Sequence, residues 1–525
     1  MKLRTFTILV SLLLAVQGTL FSQNPGTLDL TFANNGQFVL DNGQVDLFTD
    51  VEIRPDGKII AVGITYDPTF AASTQVMRFT PDGAVDQTFA NNGIFTYSLN
   101  AEANIFDLVI RPNGKILMVG STTDYNVYNF LLLQLNEDGI PDNSFGTNGV
   151  VVQKISALEN FYEDHAYAVA LQSDGKFVVA GKSHDNDYRF SPVVVRFTEN
   201  GQLDSSFGTS GVARINVSES ENDFDGVLVQ PDGKIVASGH IANTFLSFAM
   251  LVVRFMPDGT LDQSFDSDGI LNWAYSGVDD EGFDITMTED NNYLVSGFTT
   301  TVTYNYSMLL IKLNQQGGFV TDFGTNGVVI ADQGSYDVGA KVLVQADNKI
   351  LVGGGSGDSP PNDADFAVWR YNPNGTPDNT FGTNGLAKVQ FSGNFDEALS
   401  IALQPDGKII AVGKARSSLN FDFAMVRFYN DISIGVNELE KSTVSISPNP
   451  VKQGDMLNVE FELVTPGNVT LKFINSMGRV SGIVEAGYFA AGKNQVQIWV
   501  PSSLATGVYL VRVNDGFSSK LLIQK

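Results

Sequence analysis

The chain has 525 residues, 43% of them apolar and 17% charged, and 32 basic against 58 acidic residues leave a formal charge of −26. That is enough for more than one domain and a large core, too apolar for global disorder, and too acidic to hold a nucleic-acid backbone without a basic stripe, which the sequence lacks. There is no cysteine, so disulfides, thiol nucleophiles and cysteine-bound zinc are excluded together.

The N-terminus reads as a leader. Lys2 and Arg4 precede a short apolar run, Phe6 to Val16, and Ser22 is a small residue suited to cleavage, so residues 1–22 are expected to be a signal peptide. The run is too short to span a bilayer comfortably, and no second long apolar run follows, so no transmembrane anchor is expected.

From there a turn recurs seven times. Its first copy is Pro55-Asp56-Gly57-Lys58, and the others stand at 112–115, 173–176, 231–234, 289–292, 346–349 and 405–408. A period of about 58 residues means one structural unit copied along the chain. In the first unit, Val51 to Arg54 and Lys58 to Gly63 flank the turn with β-branched residues, which predicts a β-hairpin. A third strand follows at Gln75 to Thr80, where Val76-Met77-Arg78-Phe79 alternates as a half-buried strand does. Next come a second turn, Pro81-Asp82-Gly83, and a segment close to Asp-x-Ser/Thr-Phe-Gly-Thr-Asn-Gly, which leads into a fourth short strand at Ile94 to Tyr97.

Four antiparallel strands per unit, repeated around a ring, predict an all-β, seven-bladed β-propeller rather than an open solenoid. Its ends carry the argument for closure. The seventh unit stops after Phe428-Tyr429, and the missing Asp-x-x-Phe segment and fourth strand stand at the N-terminus, in Leu28 to Gly36 and Gln37 to Leu40. Joining the two completes one blade and removes two open sheet edges. This string resembles the delta-60 repeat family over residues 26 to 430. Unit five departs from the pattern at Asn291-Asn292-Tyr293 and at Val320, and a distorted turn is expected there.

The pattern is lost at 431–443, which reads as a linker after a propeller of residues 23–430. Residues 444–525 form a new β-rich module with strands expected at Leu457 to Leu463, Val469 to Ile474, Val496 to Val500, Tyr509 to Val513 and Leu521 to Ile523, a small Ig-like sandwich. Ser447-Pro448-Asn449-Pro450, Asn475 to Val480 with Gly478 at its centre, Gly507-Val508-Tyr509, and the terminal Lys520 to Lys525 resemble the type A sorting domain of the type IX secretion system. The resemblance implies that residues 444–525 are handled by the type IX machinery. It implies a protein that reaches the medium or the outer cell surface after periplasmic export.

Chemistry is less legible. His165, His184 and His240 fall at unrelated positions of units three and four and read as surface loop residues. A His-Asp cluster there could hold a metal. The repeated Asp86, Asp142, Asp204, Asp262 and Asp378 leave calcium open as a cofactor, but one aspartate per repeat suits a turn cap or a partner for the third-strand arginine better. Gly353 to Gly357 reads as a loop and lacks the spacing of a nucleophile elbow. Phe32, Phe89, Phe145, Phe207, Phe265, Phe323 and Phe381 repeat and belong to the core. The non-repeating Tyr66, Tyr125, Tyr128, Tyr188, Tyr304 and Tyr306 lie between second and third strands, on one rim, and are the candidate ligand contacts. With no catalytic set in evidence, the chain reads as a binding or adhesion module for a surface glycan or protein. The alternative is a propeller-type polysaccharide hydrolase or lyase.

Overall fold

The Asp-Gly turn reverses the chain as expected: Gly57 takes φ +82°, and Arg54 N–H donates to the Lys58 carbonyl at 2.9 Å. In the computed structural model the described residues run from 24 to 524, apart from 100–101, 125–126, 217–220, 245–246, 276–277, 301–304, 360–362, 392–394, 417–419, 432–443, 464–466, 476–479, 503, 505 and 514–517. The expected leader and nearly all of the expected linker lie outside them. The chain divides into two units, residues 1–432 and 433–525.

In the first unit, blade one consists of Asp46–Ile53, Ile59–Tyr66, Ala72–Phe79 and Ile94–Tyr97, and among the described residues that four-strand order occurs seven times. Blade seven takes three strands, Asp396–Leu403, Ile409–Arg416 and Phe421–Phe428, from the end of the array. Its fourth is Gln37–Leu40, paired antiparallel from Gln37↔Val426 to Leu40↔Phe423. Blades seven and one are joined through Asp50, which accepts the Ser400 hydroxyl at 2.7 Å.

The repeat motif is explained by one ion network per blade. Asp86 accepts Arg78 Nε at 2.8 Å and Lys58 Nζ at 2.9 Å, and its other oxygen caps the turn by accepting the Thr88 hydroxyl at 2.6 Å. The Arg78 guanidinium also lies 4.8 Å from the Phe89 ring centre and donates to the Glu137 carbonyl of the next unit at 2.6 Å. Arginine, lysine, aspartate, hydroxyl and phenylalanine thus form one structural part, and the repeated aspartates hold side-chain cations. Burial opposes ionisation of Asp86, yet the hydroxyl and ammonium donors outweigh it and hold the carboxyl well below the usual range. In blade seven the same part is assembled from both chain ends: Asp29, fully buried, meets Arg427 at 2.8 Å and Lys408 at 3.1 Å.

Blade five keeps its turn, contrary to the distortion expected. Asn291 adopts φ +57° in place of glycine, and Thr288 N–H still bonds the Asn292 carbonyl at 2.9 Å. Asparagine tolerates the left-handed conformation, which is why the substitution is harmless there. With Val320 in the aspartate's place, Lys312 turns instead to Asp290 at 3.2 Å. Gly353 to Gly357 is also corrected: it lies within the strand Ile350–Ser359, not in a loop.

The innermost strand of every blade carries a β-bulge, at Thr49, Phe106, Tyr167, Asp225, Phe283, Ala340 and Leu399. Opposite each bulge stands a glycine, and a Cβ on Gly181 would collide with the His165 carbonyl oxygen. The backbone oxygen has no room to retreat, so Gly181→Ala should cost about 2–4 kcal/mol in a urea melt without changing the slope.

The second unit packs a three-stranded sheet and a five-stranded sheet over one core of Leu457, Val459, Phe461, Leu471, Phe473 and Val511. Its strands include Met456–Leu463, Gly467–Asn475, Gly492–Trp499, Gly507–Val513 and Ser518–Gln524, together with Val480–Phe489, which alternation did not pick out.

Candidate functional site

The seven bulges place one side chain per blade around the propeller axis, and because a bulge is set by backbone alone, the residue there is free to vary. It does vary, from alanine to tyrosine to aspartate. With their neighbours these residues line a cavity of about 180 Å³ that touches all seven innermost strands. A larger cleft of about 330 Å³, between the outer strands of blades five and six, is lined by Gly324, Val329, Trp369 and Gly385 and holds no titratable group able to do acid–base chemistry near neutrality.

The waist of the channel is built from carboxylates that tie blades together. Asp50 accepts Leu108 N–H at 3.0 Å, Asp107 accepts Val169 N–H at 2.6 Å, and Asp284 accepts Val342 N–H at 2.9 Å. Each bond crosses to the next blade. Lys341 stands among them with Nζ 3.7 Å from Asp284 Oδ1. Burial disfavours its charge, but Asp284, Asp50, Asp107 and Glu52 more than compensate and raise its pKa. Burial and the Asp50 charge push Glu52 up to about 7.

Toward the beginning of the innermost strands the channel opens into a mouth. Its centre is His240, on the second strand of blade four directly across the ladder from Asp223. His240 Nδ1 lies 2.9 Å from Asp223 Oδ1, 3.9 Å from Asp225 Oδ2 and 3.8 Å from Glu281 Oε2, and Lys182 Nζ is 3.7 Å from the other Asp223 oxygen. Burial disfavours imidazolium, yet Asp223, Asp225 and Glu281 together lift the His240 pKa well above its ordinary value. Burial, with the Asp223 charge, brings Asp225 up to about 7, and burial brings Glu281 to about 7.

Two aromatic arcs flank this centre. On blades five to seven, Phe298, Tyr306, Tyr336, Phe395 and Phe421 follow one another with ring centres 5.1, 5.6, 5.3 and 6.3 Å apart. Tyr336 donates its hydroxyl to Glu397 at 2.6 Å, and Lys414 sits 3.1 Å from that carboxylate. On blades two and three, Tyr128, His165, Tyr167 and Phe106 form a second series with ring centres 4.8, 5.9 and 5.3 Å apart.

Among the tyrosines singled out by sequence, Tyr128 and Tyr306 belong to these arcs. Tyr66 ends the second strand of blade one, half-buried, its hydroxyl pKa raised by burial and by the nearby Glu102 charge. Tyr188 is exposed on a turn, its ring centre 6.4 Å from that of His184. Tyr125 and Tyr304 lie outside the described residues. The histidines are not surface loop residues: His165 and His240 lie within strands and face the mouth, and His184 closes the strand Phe177–His184, stacked on Phe190 at 4.1 Å. Sequence reasoning missed Asp223, Asp225, Glu281 and Lys341, which do not repeat, and the waist aspartates Asp50, Asp107 and Asp284, which share one register position in only three of the seven blades. It also missed a repeating set, the buried Asp46, Asp164, Asp280, Asp337 and Asp396, at a fixed spacing ahead of each turn. Each clamps the loop entering its blade, as Asp337 does by accepting Gln333 N–H at 2.6 Å.

In the second unit, Pro448, Asn449 and Pro450 follow the strand Ser445–Ser447, and Asn449 accepts Leu522 N–H at 2.9 Å. Gly507 begins a strand and Tyr509 is buried, while Lys520 lies in the last strand. Gly478 and Lys525 are outside the described residues.

No curated protein matches the chain. Similar solved structures include a fungal alcohol oxidase of the AA5 family in complex with copper (12% identity, TM-score 0.41, 94% of this chain and 100% of that one). A polysaccharide lyase of family PL25, an ulvan lyase, is another (11%, 0.40, 78% and 94%). A third is the β-propeller domain of the Trilobed protease from Pyrococcus furiosus (10%, 0.37, 73% and 93%). At these scores none bears on activity or ligand. The family models are more specific. A domain of unknown function described as a beta-propeller, DUF5122, matches at 54–89, 111–145, 172–207, 230–265, 345–381 and 404–431, passing over blade five. A secretion system C-terminal sorting domain matches at 445–524. The six matched stretches are therefore DUF5122 β-propeller repeats, and the chain is a propeller protein carrying the sorting domain that sends it to the cell surface or the medium by type IX secretion.

Proposed function

We propose that the exported propeller is a binding module that takes a glycan at the channel mouth. The observation that carries this is the pair of aromatic arcs on either side of an acidic centre, at one end of one channel. Aromatic faces offer flat apolar area to the C–H faces of sugars, and carboxylates accept their hydroxyls. The net charge of −26 and the acids of the mouth favour neutral or amino sugars over sulfated or uronate polymers. Repeats that hold shape while non-repeating residues gather at one place are what a scaffolded binding site requires.

The test is a glycan array probed with the full chain and with Tyr336→Ala and Tyr128→Ala. Binding to neutral or amino-sugar glycans is expected, weakened about tenfold by each substitution. Binding confined to sulfated or uronate glycans would overturn the reading. A second reading, a polysaccharide hydrolase or lyase, is favoured by one feature: Asp225 and Glu281, both near 7, stand around His240, where proton transfer at neutral pH is within reach. Release of new sugar ends from any arrayed polymer would replace the binding reading with this one.

A further inference from the structure

We propose that His240, Asp223 and Asp225, with Glu281 as a fourth ligand, bind a divalent transition-metal ion such as zinc at the channel mouth. One ligand atom from each of the first three lies within 4.8 Å of the others, and Glu281 Oε2 is 3.8 Å from the same imidazole nitrogen. A second observation, independent of proximity, points to a missing cation. Asp223 is only 6% exposed, yet its Oδ1 makes no hydrogen bond, and neither does Asp225 Oδ2 or His240 Nδ1. Asp223 Oδ1 and His240 Nδ1 face each other at 2.9 Å without the alignment of a hydrogen bond. Three buried ligand atoms aimed at one point lean there on the single proton of His240, and a divalent ion that displaced that proton would satisfy all of them at once. Lys182 does not fill the role, since it approaches the other oxygen of Asp223 at 3.7 Å.

The repeat symmetry sharpens the case. The bulge position is aspartate only in blade four; in the other blades it is Thr49, Phe106, Tyr167, Phe283, Ala340 and Leu399. On the second strand, the residue that follows the bulge-facing glycine is histidine only in the same blade, where it pairs with Asp223; elsewhere it is Ile64, Ser121, Lys182, Phe298, Gly355 and Lys414. The fold therefore demands neither residue, and the one blade that has both also receives Glu281 from its neighbour. An imidazole with two or three carboxylates and no thiolate suits zinc, manganese or a similar borderline ion, and the nitrogen ligand disfavours calcium. Asp225 also lines the channel cavity, so a bound ion would face the lumen.

The site occupies the acidic centre that the glycan reading uses but does not rest on that reading, and its test uses no sugar. The full chain, stripped with chelator, is titrated calorimetrically with zinc chloride and with calcium chloride, beside His240→Gln, Asp225→Asn and His184→Ala. About one zinc per chain is expected, with a rise in melting temperature. Affinity should fall at least about tenfold in His240→Gln and in Asp225→Asn but not in His184→Ala. Circular dichroism checks that each variant is folded, and Asp225→Asn serves if His240→Gln is not. No saturable zinc binding, equal binding by the folded His240→Gln or Asp225→Asn chain, or displacement of zinc by equimolar calcium would each overturn the proposal.

Discussion

Replacing Arg427 by alanine should destabilise the propeller by about 3–5 kcal/mol and release both ends of blade seven together. The arginine side chain is 2% exposed. It holds the fully buried Asp29 at 2.8 Å and donates to the Pro81 carbonyl of blade one at 2.7 Å and to Gln404 at 3.2 Å. Its removal leaves a buried carboxylate with one remaining cation, Lys408, while the Pro81 carbonyl keeps the Gln404 amide at 2.9 Å. Most of the cost is that desolvated, half-paired charge. Asp29 belongs to the N-terminal segment and Arg427 to the last repeat, so the loss falls on the joint. Hydrogen exchange should quicken in Gln37–Leu40 and Phe421–Phe428 ahead of the other strands. Arg196→Ala is the control, because Asp204 lies on the same stretch of chain, 2.9 Å away, and the arginine's other partners, the Pro257 carbonyl and Ser206, belong to neither end of the array. Equal protection of the joint in both variants would count against the assignment.

The second large effect is expected at Lys341→Met. The ammonium is the counter-charge to Asp284, Asp50, Asp107 and Glu52 at the channel waist. Because about a quarter of the lysine side chain still meets the lumen, the loss is expected to be about 1–3 kcal/mol rather than the full value of a dry pair. It should also depend on pH with a definite sign. Glu52 is already at about 7 in the fold, against about 4.3 in an unfolded chain. An acid whose folded pKa is raised stabilises the fold when protonated and loses that contribution as pH climbs from the lower value through the upper. Without Lys341 the carboxyls of Glu52, Asp107 and Asp284 rise further, so the variant should be close to the parent in a thermal melt at pH 5 and clearly weaker at pH 8. A deficit of the same size at both would refute the counter-charge role.

What was legible in the sequence divides along the repeat. The turn, the third-strand arginine and the Asp-x-Ser/Thr-Phe segment recur because most blades are built on them, with Gln134 and Lys312 standing in for the arginine in blades two and five, and recurrence exposes a requirement even when its geometry is unknown. Arg78 and Asp86 could be paired by eye for that reason, while the ring of Phe89 over the guanidinium could not. Closure was legible because a missing piece at one end stood intact at the other. The mouth was not, since its residues differ from blade to blade. Asp223 and His240 are 17 positions apart and meet only through the ladder pairing, while Glu281 comes from the following blade. Histidines next to polar residues were read as loops because polarity usually marks a surface, whereas here it marks an internal channel. Gly353 to Gly357 misled in the same way: small residues suggest freedom, but Gly354 faces the bulge of its own blade, where no side chain fits.

The joint at blade seven also constrains how the molecule comes into being. Asp29 and Arg427 are separated by 398 positions, so the earliest-made strand must wait, unpartnered, until nearly the whole array has been synthesised. A stop codon inside the final repeat would then sacrifice more than the last blade: it would strand the first-made segment and leave the circle permanently ajar.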